Sequence, residues 1–75
     1  MTGRPSVGLA DLDEVSRRIV AGQFSNRPGC ILEVSTYVWN RNSFEAQHGF
    51  EDACREHGIR FAVIERIGGI EWSCP

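Results

Sequence analysis

Three cysteines and two histidines are the side chains of this 75-residue sequence with the strongest intrinsic chemistry. Cys54 and His57 stand one helical turn apart, His48 lies further up the same segment, and Cys74 is close to the C-terminus. Thiolates and imidazoles of this kind could bind zinc, but a zinc site needs them to converge. Their pattern argues against convergence: there is no C-x2-C or H-x3-H pair, and at 100° per residue His48 points away from the stripe shared by Cys54 and His57. Nucleophilic catalysis would need a base beside the thiol and a third group to orient that base. Cys54 and His57 offer adjacency alone, and a thiol packed against a sheet has a raised pKa and little reactivity. Glu33, Glu65 and Glu71 do not flank a common pocket, as paired catalytic carboxylates must. The run Trp-Asn-Arg-Asn-Ser at 39–43 holds no glycine that would let backbone N–H groups approach a phosphate. No catalytic residue, metal ligand or cofactor is therefore assigned, and the chain is read as a non-enzyme.

Binding chemistry is better represented. Tyr37, Trp39, Arg60, Ile64 and Arg66 are expected on one sheet face together with Ile31, Glu33, Ser35 and Ala62. Aromatic and arginine side chains are enriched at the energetic centres of protein interfaces. With Arg41 in the loop after Trp39 and Phe44 on the polar face of the next helix, the expected partner-binding set is Tyr37, Trp39, Arg41, Phe44, Arg60, Ile64 and Arg66. Stacking of RNA bases on strand aromatics is the alternative. It is disfavoured by a net charge of −2 and by the absence of lysine beside eight arginines.

These residues need elements to position them. Val, Ile, Leu and Phe make up about a quarter of the chain, above the roughly one-fifth below which highly charged chains stay disordered. Residues 1–8, rich in Gly, Pro and Ser, read as a flexible N-terminal tail, and 9–75 as a single small α/β domain. Leu12, Val15, Ser16, Ile19 and Val20 share one side of a helix over 12–21. Asp11 and Glu14 are placed to form a capping box at its start, and Gly22 to stop it. Turn formers at 23–29 precede a period-2 run over 30–39, expected as a strand with Cys30, Leu32, Val34, Thr36 and Val38 on its core face. Asn42 and Glu45 suggest a capping box for a second helix over 43–57 ended by Gly58, with Ala46, Phe50, Ala53, Cys54 and His57 inward. Residues 59–67 form the next strand, and Gly68-Gly69 signals a two-residue hairpin that pairs Ile67 with Ile70, Arg66 with Glu71 and Glu65 with Trp72.

The expected architecture is a two-layer α+β sandwich in α-β-α-β-β order. It has a three-stranded mixed sheet, both helices on one face, and the first two strands parallel. No stretch reaches the ~20 apolar residues of a membrane helix, and the N-terminus lacks a basic segment followed by an apolar one. Three cysteines at spacings of 24 and 20 have no look of a disulfide framework, so they are read as small apolar residues of a cytoplasmic protein. Arginine without lysine fits a GC-rich genome. Together these features imply a small protein-binding module, such as a bacterial accessory factor or a phage-encoded inhibitor of anti-CRISPR type. Its partner is expected to be another protein, or a second copy docking through the open sheet face.

Overall fold

The structure is a computed structural model and describes residues 11–24, 27–66 and 68–75. The expected N-terminal tail lies outside the described residues, as do parts of the expected 23–29 turn and Ile67 of the expected hairpin.

Helix α1 (Leu12–Val20) forms where anticipated and buries Leu12, Val15 and Ile19. Its N-cap is Asp11, but the carboxylate accepts from the N–H of Asp13 rather than of Glu14. Glu14 turns along the helix instead, to Arg17 and Arg18, so the reciprocal capping box does not form. Val20 is exposed rather than inward, because the apolar stripe reaches the end of α1 one residue earlier, at Ile19.

Strand β1 (Ile31–Ser35) is half the expected length. Ser35 stops it: its side chain accepts from the N–H of Val38 and caps a helix, α2 (Thr36–Arg41), where the alternation had suggested more strand. Tyr37 and Trp39 therefore stand on a helix, not on the sheet. Asn42 holds this turn in place, donating from Nδ2 to the Val38 carbonyl at 2.8 Å and accepting from the Leu12 N–H at 3.1 Å. That second bond satisfies one of the N-terminal donors that α1 cannot pair internally. The cap of α3 (Phe44–His57) falls to Ser43, which accepts from the Ala46 N–H, and not to Asn42. Gly58, at φ 69°, closes the helix in the left-handed conformation that glycine adopts without steric cost.

The sheet is mixed, with strand order β2-β1-β3 for β2 (Phe61–Ile64) and β3 (Ile70–Ser73). β1 and β2 are parallel, with Leu32 opposite Phe61 and Val34 opposite Val63. β3 does not form a hairpin with β2. It crosses to the other side of β1 and runs antiparallel to it, pairing Leu32 with Trp72, Glu33 with Glu71 and Val34 with Ile70. β2 ends at Ile64, leaving five residues from Glu65 to Gly69 to span β1, whereas a hairpin would leave two. Glu65 is thereby released from Trp72 and exposed. The crossing makes β1 central, so that Leu32 and Val34 are completely buried under α1 and α3 along with Phe50 and Ile70.

The same register explains the cysteines. Ile31 faces Ser73, so the next pair outward is Cys30 and Cys74, and these form a disulfide across Cα atoms 4.1 Å apart. The reading of three reduced cysteines is thus corrected for two of them. A reducing cytosolic thiol pool works against such a bond, so the cytoplasmic expectation loses the support it drew from free thiols. Among the described residues no helix is long and apolar enough to cross a membrane.

Candidate interaction surface

The sheet carries helices on one side. Its other side presents Ile31 and Glu33 from β1, Ala62 and Ile64 from β2, and Glu71 and Ser73 from β3, as the registers require. Glu33 and Glu71 are directly opposed, an arrangement of like charges that is unfavourable by itself. Arg66 resolves it. Reaching back from the connection after β2, its guanidinium lies 3.6 Å from Glu33 Oε1 and 3.0 Å from Glu71 Oε1. Nη2 of Arg66 and Oε1 of Glu71 are both shielded from solvent, which strengthens their attraction over that of a fully wet surface pair. Ile31 and Ile64, both half-buried, stand on the same face as the ionic trio.

The seven residues expected to bind a partner are dispersed. Ile64 and Arg66 are on this open face. Tyr37 and Arg41 are on the exposed side of α2, where Arg41 donates to the Tyr37 hydroxyl at 2.9 Å and covers its ring at 5.3 Å. Trp39 turns the opposite way and packs on the core, stacked on Phe61 at 5.9 Å and edge-on to Phe50 at 6.3 Å. Phe44 opens α3, 72% exposed, with only the His48 ring against it at 4.7 Å. Arg60 is exposed at the entrance to β2.

The cysteine and histidine chemistry has no site to occupy. Cys54 is buried, and desolvation, helped by Glu51, pushes its thiol up to about 12. It is protonated throughout the physiological range. His48 is committed to Phe44, and among the described residues no group of three or more His, Cys, Asp or Glu side chains could hold a metal ion.

The sequence reading paired Arg66 with Glu71 but missed Glu33 as the third member, because a β2–β3 hairpin keeps β1 away from β3. The available signal was the conflict itself: two acids on the open face of neighbouring strands need a cation between them. Comparison with protein families, with curated proteins and with solved structures gives no match. The class is therefore defined by the fold alone, a small α+β protein with a three-stranded mixed sheet and one open face.

Proposed function

We propose that this chain is a non-enzymatic protein-binding module that docks a partner protein on the open face of its sheet. The observation that carries the reading is the placement of Ile31 and Ile64 on the same face as the Glu33–Arg66–Glu71 trio. It combines apolar surface to bury with fixed charges to orient a partner. Two carboxylates against one guanidinium make the patch net acidic. This favours a protein surface with complementary basic groups over the phosphates of RNA or DNA. The finer assignment, to an accessory factor or a phage-encoded inhibitor of a larger machine, rests on size and composition.

Site-directed photo-cross-linking in cells tests the reading. A photoreactive side chain at Ile31 should give a discrete protein adduct, and the same group at Glu56, on the exposed side of α3, should not. Adducts from both positions alike, or a shift of labelled RNA that vanishes with added salt, would remove the proposal.

A further inference from the structure

We propose that β2 is a self-pairing edge, to which a second copy of this chain adds antiparallel, joining two three-stranded sheets into one of six strands. The surface is separate from the open face and the inference does not rest on that reading.

The two edges of the sheet differ. β3 carries Glu71 and runs directly into the disulfide-tied Cys74 and Pro75, and charge and proline both discourage further pairing. β2 reads Phe-Ala-Val-Ile, with no charge, proline or glycine within it. Its backbone is also aimed correctly. The Leu32 N–H donates to the Arg60 carbonyl at 2.8 Å. In a parallel ladder this turns the backbone groups of Arg60, Ala62 and Ile64 toward β1, and those of Phe61 and Val63 toward the outer edge. Among the described residues no strand lies beside them.

Symmetry then selects a register. A two-fold axis normal to the sheet keeps each face continuous, so only residues of the same face can pair. Centring the axis on Ala62 sets Phe61 opposite Val63 of the second copy, and this pair exchanges every outward N–H and C=O of both residues. Val63 is 38% exposed on the helix side of the sheet, and Phe61 lines a shallow groove of about 460 Å³ between α3 and the start of β2. Pairing places Val63 of the second copy at the mouth of that groove. Charge agrees with the direction. Arg60 enters the strand and Glu65 follows it, both exposed, so antiparallel addition brings the basic end of each copy to the acidic end of the other. Parallel addition would align like with like. One strand pair buries less than the roughly 1,200–2,000 Å² of a stable interface, so the expected dimer is weak, with Kd on the order of 10–100 μM.

Sedimentation velocity across a wide concentration range reads the equilibrium directly. Val63→Pro removes an outward N–H and leaves the β1 ladder intact, so it should keep the circular dichroism spectrum and stay monomeric at every concentration. Arg60→Glu should weaken association about tenfold, and adding Glu65→Arg should restore it. Ala62→Cys supplies a register-specific check that does not depend on the proline variant folding. Opposed Ala62 positions form a non-hydrogen-bonded pair with Cα atoms roughly 4.5 Å apart, within disulfide reach, so oxidised glutathione should convert the two thiols to an intermolecular disulfide while being reduced itself. A wild-type chain that stays monomeric, a dimer that survives Val63→Pro in the folded protein, or a failure of Ala62→Cys to cross-link overturns the proposal. None of these results touches the open-face reading, which is scored by adducts at Ile31.

Discussion

The hydroxyl of Ser35 donates to the carbonyl of Gly68 at 2.8 Å, across 33 residues of sequence, while the same oxygen accepts from the N–H of Val38. The Ser35 backbone N–H donates to Gly69 as well, so a single fully buried residue ends β1, caps α2 and anchors the connection between β2 and β3. Replacing it by Ala removes a helix cap and leaves the Gly68 carbonyl short of a partner. The two effects together should cost about 1–3 kcal/mol. Urea titration of Ser35→Ala followed by far-UV circular dichroism measures this, and an unchanged midpoint would show that the junction is held by other contacts.

The Cys30–Cys74 bond closes a sequence separation of 44 residues. Loop-closure entropy for that length corresponds to roughly 4 kcal/mol, within the commonly observed 2–4 kcal/mol, against a total of roughly 4–11 kcal/mol expected for a 75-residue domain. Reduction should therefore remove a large share of the stability. It should act first on β3, which the bond ties to the start of β1. The expected outcome is a clear fall in the urea midpoint with dithiothreitol, reproduced without reductant by Cys30→Ser paired with Cys74→Ser. Equal midpoints for the oxidised and reduced protein would mean that Ile70 and Trp72 hold β3 by packing alone.

The helices α1 and α3 are legible in the sequence because their signals are local: apolar spacing, a capping side chain at the start, and glycine just past the end. The boundary between β1 and α2 is not. Thr36, Tyr37, Val38 and Trp39 alternate well enough for a strand, and what overrides that pattern is the Ser35 cap together with Asn42 bonding to both Val38 and Leu12, a contact across 30 residues. Gly68-Gly69 misleads in the same manner. A hairpin satisfies its neighbours, whereas crossing to the far side of β1 shields both edges of the central strand, stacks Trp72 against Phe24 and brings Cys74 to Cys30. Of the binding residues, Ile64 and Arg66 were placed on the correct face because β2 is read correctly. Tyr37 and Trp39 were misplaced by the one strand that ends early.

Cys54 sets a pH dependence. Its thiol is raised from an ordinary value of 9.0 to about 12 by burial and by Glu51. A raised folded-state pKa means that the native state holds the proton more tightly than the unfolded chain. Its contribution is therefore complete below about pH 9 and is lost as pH rises toward 12, because the unfolded thiol ionises first. The difference in unfolding free energy between wild type and Cys54→Ala, measured at intervals from neutral to alkaline pH, should shrink as pH increases. Iodoacetamide should label this thiol only once denaturant is added. Rapid native-state labelling, or a difference independent of pH, would show that the thiol is not held protonated by the core.

Arg66 is the cation that makes the opposed pair Glu33 and Glu71 tolerable. Its removal takes away two attractions and exposes a repulsion, but all three side chains retain partial solvent contact. The loss for Arg66→Ala should therefore be modest, about 1 kcal/mol, and smaller at high ionic strength. The direction of rescue separates electrostatics from packing. Adding Glu71→Gln to Arg66→Ala eliminates the repulsion without restoring any attraction, so it should recover part of the loss at low salt and little at high salt. Glu71→Gln alone should destabilise, because it breaks the pair at 3.0 Å while Arg66 keeps only the longer contact to Glu33. If Arg66→Ala is equally destabilising at all salt concentrations and Glu71→Gln does not rescue it, the guanidinium acts through its apolar stem, and charge plays no part in setting this face.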